Sequence, residues 1–264
     1  MAIGLSTYAF FWRWSDRAPR PLTLFDMIEQ TRDLDVPVFQ VCDYPAIESW
    51  TTAELEQLRQ GAADCGVSLE LGTRGVRPDH LGRFLDLAGA LGATTVRSML
   101  RTADHKPSIE EATTLLKQVL PAYEDAGVSI ALETYEQVST ADLMAVVDGV
   151  DSPNLGVCLD PANCVARLEL PADVIAGTSR RVLNIHVKDF EFTRQAGWVG
   201  FTLVGCPLGQ GLLDYDGMIA AVRPGPGVNQ IVEHWLPWQD SFDTTALVED
   251  QWTRHNINIL RSTA

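Results

Sequence analysis

The strongest constraint on this chain is a rhythm. Short apolar runs alternate with stretches of helical periodicity, and the alternation repeats eight times. The runs fall at 3–9, 36–42, 67–71, 94–99, 129–133, 155–160, 182–187 and 230–233. The helical stretches between and after them are 22–34, 51–63, 79–91, 108–127, 139–147, 171–178, 214–222 and 244–260. Thr23, the pair Thr51 and Glu54, and the pair Ser108 and Glu111 have the spacing of helix N-caps, while Gly66, Gly92 and Gly127 sit where helices stop. Strands that alternate with helices predict a parallel sheet with right-handed crossovers. Eight such units predict closure into a barrel, and 264 residues suit one, since these barrels run to about 250 residues. No linker rich in Gly, Pro or Ser divides the chain. The reading is therefore α/β, a single (β/α)8 TIM barrel over residues 1–264. Residues 10–21 read as a loop, and residues 191–213 as a long loop over the active-site mouth.

Four of the apolar runs carry a side chain able to bind a metal at or next to their carboxyl end. They deliver Glu133, Asp160, His186 and Glu233. In a parallel barrel the carboxyl ends of all strands face one mouth, so strands five to eight would bring these four together. Any one alone has an ordinary explanation, such as a buried core histidine, an ion-paired glutamate or a helix N-cap. Four at the same place on successive strands point to one shared site. Three carboxylates and one imidazole form a hard donor set, suited to Mn²⁺ first, with Mg²⁺ or Co²⁺ as alternatives, rather than to structural Zn²⁺. A divalent ion would also relieve the mutual repulsion of the carboxylates.

The segments that carry these residues resemble a known family. Ala131-Leu132-Glu133, Gly156 to Asp160, Asn184 to Asp189, Gly209-Gln210-Gly211 with Asp214, and Val232-Glu233-His234 resemble the xylose isomerase-like barrels. The likeness is to the sugar phosphate isomerase/epimerase branch, with ketose 3-epimerases, hydroxypyruvate isomerase and the inosose isomerases and dehydratases. The resemblance implies a divalent metal on Glu133, Asp160, His186 and Glu233. It implies a small sugar, ketose or oxo-sugar as substrate, held by two neighbouring oxygens. It makes Glu133 and Glu233 the acid/base pair on opposite faces of the substrate, with proton abstraction alpha to a carbonyl through a metal-stabilised enediolate. The expected activity is isomerisation or epimerisation. The alternative is a lyase on the same scaffold, dehydrating an oxo-cyclitol or eliminating from an oxo-glycoside. Two positions depart from the ketose epimerases: Asn163 stands where a histidine is common, and Phe192 where an arginine is common. Such relatives are often dimers or tetramers, which leaves a homo-oligomer open.

Around this set, Asn163, Lys188, Arg97, Trp198 and Trp12 are candidate substrate-binding residues. Asn163 can donate to a hydroxyl, Lys188 can bind an oxygen or pair with Asp189 or Glu191, and Arg97 can bind a carboxylate. Aromatic faces pack on the CH surfaces of sugars. His234 would point away from Glu233 on the same strand, and Asp43 is a candidate for a hydrogen bond behind the ligands. A net charge of -15 repels phosphate backbones, so nucleic acid is excluded as a partner. Five histidines on an acidic chain also argue against a multi-zinc apurinic endonuclease, which shares this barrel type. No apolar run reaches the roughly 18 residues of a membrane span, and Met1 to Tyr8 has no basic segment followed by an apolar one. Five scattered cysteines without a C-x-x-C pair read as free thiols. The expected location is the cytoplasm.

Overall fold

The computed structural model describes residues 1–195, 197 and 199–263. Eight strands close into a parallel barrel: β1 (Ile3–Ser6), β2 (Val38–Cys42), β3 (Ser68–Gly72), β4 (Thr95–Ser98), β5 (Ser129–Glu133), β6 (Leu155–Leu159), β7 (Val182–Val187) and β10 (Asn229–Val232). β10 pairs with both β7 and β1, which completes the circle. Helices cover the outside, as the sequence rhythm predicts. Their starts are capped where expected: Thr23 with Asp26 and Thr51 with Glu54 form reciprocal capping boxes, and Ser108 accepts from the Glu111 backbone N–H. Their apolar stripes, such as Leu81, Phe84, Leu87, Ala88 and Leu91 on the helix Pro78–Leu91, pack inward on the strands. Among the described residues no helix is long and apolar enough to cross a membrane.

Two sequence expectations require correction. The first strand stops at Ser6 instead of running to Ala9. Ser6 Oγ accepts from the Tyr8 backbone N–H and turns the chain into the 3-10 segment Thr7–Phe10, followed by the helical turn Phe11–Trp14. The side-chain bond offers the backbone an alternative to the ladder. The second correction concerns 191–213. Much of this stretch is regular: β8 (Asp189–Arg194) and β9 (Phe201–Cys206) form an antiparallel hairpin outside the barrel. Its alternation, with Phe192 and Phe201 exposed and Phe190 and Cys206 buried, lies in a run broken by glycines and lacks a short turn signal.

Asp189 explains how this excursion is tied down. Its carboxylate accepts from the backbone N–H groups of Phe190, Gly209, Gly211 and Leu213 at 2.8–3.0 Å. Gly211 is required there, because a Cβ would lie 2.3 Å from the Phe190 carbonyl oxygen and 2.4 Å from Asp189 Oδ1. The glycines around Gln210 therefore shape a loop, as their short spacing predicts.

Candidate metal centre

The barrel gathers Glu133, Asp160, His186 and Glu233 into one buried group, with one potential ligand atom from each all within 4.8 Å of one another. Glu133 ends β5, Asp160 and Glu233 follow directly on β6 and β10, and His186 is the penultimate residue of β7. All four are almost fully buried. His186 Nδ1 faces Glu133 Oε1 at 3.4 Å, Glu233 Oε2 at 3.5 Å and Asp160 Oδ2 at 3.9 Å. It makes no hydrogen bond with any of them. A buried ring nitrogen aimed at three carboxylates and bonded to none is a ligand atom in search of a cation. The donor set thus fits a divalent ion, and these four residues could hold one.

Two buried cations flank the group. The Arg97 guanidinium meets Glu133 Oε2 and lies 3.6 Å from Asp43 Oδ1. Lys188 Nζ meets Asp160 Oδ2 at 2.7 Å and Glu233 Oε2 at 3.2 Å, beneath the face of Trp235. The electrostatics follow from these pairs. Burial by itself would raise the Glu133 carboxyl, but Arg97, His186 and Lys188 outweigh it and hold it down to about 2. Burial pushes Asp160 up to about 6, and the neighbouring Glu133 charge adds to the rise while Lys188 opposes it. Lys188 would be lowered by burial, yet Asp160, Glu233 and Glu133 raise it, so it stays an ammonium.

The candidate substrate contacts are placed differently. Asn163 Nδ2 donates to Glu133 Oε1 at 2.9 Å and is 3.3 Å from the Thr134 carbonyl oxygen, so it steadies Glu133 and is not a free donor. Lys188 pairs with Asp160 and Glu233, and not with Asp189 or Glu191. Arg97 is committed to Glu133 and donates to the Thr73 carbonyl oxygen, which leaves little of it for a substrate. Trp12 donates from Nε1 to the Leu236 carbonyl oxygen and lines, with Tyr8 and Trp235, a cleft of about 290 Å³. Trp198 lies outside the described residues. His234 faces away and bonds Thr253 at 2.9 Å, and its burial lowers it to about 3, as a neutral structural histidine. Asp43 takes Arg74 through both oxygens and accepts from the Tyr8 hydroxyl at 2.8 Å.

Sequence reasoning missed three polar groups behind the candidate ligands. Ser6 Oγ donates to Glu233 Oε1 at 3.0 Å. Gln40 Oε1 bonds His186 Nε2 at 2.9 Å. Glu70 accepts from Gln40, Asn184 and Asn229. A polar residue inside an apolar strand run was the available signal, at Gln40 in Val38–Cys42 and at Glu70 in Ser68–Gly72.

Comparison with known proteins agrees with this architecture. A family profile described as Xylose isomerase-like TIM barrel matches residues 28–263. The 3-oxo-isoapionate decarboxylase of Pectobacterium atrosepticum is 58% identical over 261 residues, covering 98% of this chain and 95% of that protein. D-psicose 3-epimerase, solved in the presence of D-fructose, superposes with a TM-score of 0.75 at 16% identity, covering 100% of this chain and 99% of the other. A xylose isomerase-like TIM barrel protein from Mycobacterium smegmatis, solved in complex with magnesium, gives 0.71 at 18% identity over 97% and 96% of the two chains. By its barrel, its strand-end residues and the profile match along most of its length, the chain belongs to the xylose isomerase-like TIM barrel family.

Proposed function

We propose that this protein is a divalent-metal-dependent lyase that decarboxylates a 3-oxo sugar acid of the 3-oxo-isoapionate type. The observation that carries the reading is the 58% identity to a 3-oxo-isoapionate decarboxylase across 98% of the chain. The lyase alternative is thereby favoured over isomerisation. The bond broken is the C–C bond to a carboxylate, however, and not the C–O bond of a dehydration or an elimination.

The site chemistry supports the same choice. Two-base epimerisation needs two carboxylates free to take and return a proton. Glu133 is poorly suited, because Arg97 occupies one oxygen and Asn163 the other, and its carboxyl is held to about 2. Decarboxylation of a 3-oxo acid needs no base. The electron pair of the departing CO₂ stays on the adjacent carbon, and one proton must reach that carbon afterwards. The fixed charges also suit an acid substrate. Three carboxylates against Arg97 and Lys188 leave one negative charge with His186 neutral, so a divalent ion would turn the pocket to one positive.

Glu133, Asp160, His186 and Glu233 are the proposed metal ligands, with Mn²⁺ as the first candidate and Mg²⁺ or Co²⁺ as alternatives. When bound, the ion supplies Lewis-acid stabilisation of the oxyanion that develops as CO₂ leaves. Glu233 is the proposed proton relay to carbon: its carboxylate takes a proton from the Lys188 ammonium along the 3.2 Å contact to Oε2 and passes it to the carbon that lost CO₂, and solvent reprotonates Lys188. Arg97 and Asn163 hold Glu133 ionised and still. Tyr8, Trp12 and Trp235 wall the adjoining cleft and exclude water from the substrate.

The test is NMR in D₂O with added Mn²⁺ and 3-oxo-isoapionate, alongside a panel of free ketoses. Release of CO₂ with one deuterium on the carbon that lost it is the expected result. Epimerisation of a ketose, with the oxo acid left intact, would return the assignment to isomerase.

A further inference from the structure

In barrels of this kind the interior is filled by layers of side chains, dominated by branched apolar residues. The layer beneath this metal centre is instead polar. Gln40 of β2, Glu70 of β3 and Asn184 of β7 meet there, all buried, and Asn229 at the start of β10 joins them. Burying polar groups is unfavourable unless every one is paired. Here the pairing is directional. Glu70 Oε2 accepts from Gln40 Nε2 at 2.9 Å and from Asn184 Nδ2 at 3.0 Å, and Glu70 Oε1 accepts from Asn229 Nδ2 at 2.7 Å. Asn184 Oδ1 takes a second, longer contact from Gln40 Nε2 at 3.3 Å.

These bonds fix which way the Gln40 amide points. Turning it over would set its oxygen 2.9 Å from a carboxylate oxygen of Glu70, with no hydrogen between them. Gln40 Oε1 therefore faces His186 Nε2 at 2.9 Å, as an acceptor only. His186 Nε2 must then carry the proton, and a neutral imidazole with a proton on Nε2 has its lone pair on Nδ1. Nδ1 is the atom aimed at Glu133, Asp160 and Glu233. We propose that Gln40, oriented by Glu70, is a positioning residue that locks His186 in the Nε2–H tautomer and so sets the metal affinity of the site. The proposal rests on the metal-ligand reading above, extends it across the barrel from β7 to β2 and β3, and assigns a task to a polar layer that folding alone would not require.

The experiment is calorimetric titration of Mn²⁺ into the wild-type chain, Gln40→Leu, Glu70→Gln and Glu70→Leu. Losing such an outer hydrogen bond costs about 10- to 100-fold in metal affinity. That weakening is expected for Gln40→Leu and for Glu70→Leu. Glu70→Gln retains an oxygen for Gln40 Nε2 and should stay within a few fold of wild type. Equal affinity in wild type and a folded Gln40→Leu would overturn the proposal. Failure of the wild type itself to bind Mn²⁺ would instead remove the metal reading, which is a different result. A second measurement needs no variant: ¹⁵N NMR of histidine-labelled wild type loaded with diamagnetic Zn²⁺. A protonated Nε2 and a metal-bound Nδ1 on His186 are expected, and the reverse assignment would overturn the tautomer lock.

Discussion

The two glutamates of the centre are held in opposite ways. Glu133 is gripped by a guanidinium on one oxygen and an amide on the other. Glu233 is held more lightly, by the Ser6 hydroxyl on one oxygen and the Lys188 ammonium on the other at 3.2 Å. The first arrangement keeps a charge in place. The second places a proton-bearing group beside a carboxylate. The proposed metal ligand that must not move and the proposed group that must pass a proton would need different surroundings, and the barrel supplies Arg97 from β4 to one and Lys188 from the end of β7 to the other.

The comparison breaks most directly at the glutamates themselves. Glu233→Gln removes the proposed proton donor, and general acid catalysis contributes about 10²–10⁴-fold. Turnover should fall within that range even at saturating Mn²⁺. Glu133→Gln should be recoverable in part by raising Mn²⁺, since its loss is one of binding. Initial rates of CO₂ release against Mn²⁺ concentration distinguish the two. If both variants respond alike to added metal, the asymmetry is wrong.

Arg97→Met attacks the grip on Glu133. Removing one partner of a buried ion pair leaves an uncompensated charge and costs about 3–5 kcal/mol of stability. Thermal melting should show a large drop for this variant, whereas Lys188→Met leaves two carboxylates that a metal ion can still neutralise. Metal should therefore rescue the melting temperature of Lys188→Met more fully than that of Arg97→Met. Chelation of the wild type gives the reference effect. A ligand at a hundred times its Kd stabilises the folded chain by about 2.7 kcal/mol. A melting temperature unmoved by chelator would mean that no ion is resident in the wild type.

The cluster of candidate ligands was legible in the sequence, and what its neighbours bond to was not. Glu133, Asp160 and Glu233 each close an apolar run and His186 lies one residue before the end of its own, so strand period and strand end together mark them. Their partners come from far along the chain. Gln40 is 146 positions from His186, and Ser6 is 227 positions from Glu233. Only closure of the barrel makes them neighbours, and no local spacing encodes closure register. The same limit explains Lys188. Its sequence neighbours Asp189 and Glu191 are the obvious partners, but Asp189 is spent on four backbone N–H groups and β7 carries Lys188 toward Asp160 and Glu233. The hairpin of β8 and β9 was hidden for another reason, because residues 195–200 separate its strands without a two-residue turn.

The lighter hold on Glu233 yields the smallest effect and the finest test. Ser6→Ala deletes the hydroxyl that donates to Glu233 Oε1 at 3.0 Å, while Lys188 remains on Oε2. A hydrogen bond to a charged group is worth about 1.5–3 kcal/mol when it is the carboxylate's own, but a bound ion would share that oxygen's charge and reduce the loss. Ser6 also caps the turn at Tyr8, so part of the effect will appear in stability. Measuring kcat and the apparent Mn²⁺ affinity separately resolves the two contributions. If the hydroxyl only steadies a ligand, affinity falls and kcat at saturating metal is kept. If it tunes Glu233 as a proton donor, kcat changes while affinity is kept. The second outcome is the one expected from a residue whose carboxylate is held by one hydroxyl and one ammonium, and the first would make Glu233 as passive as Glu133.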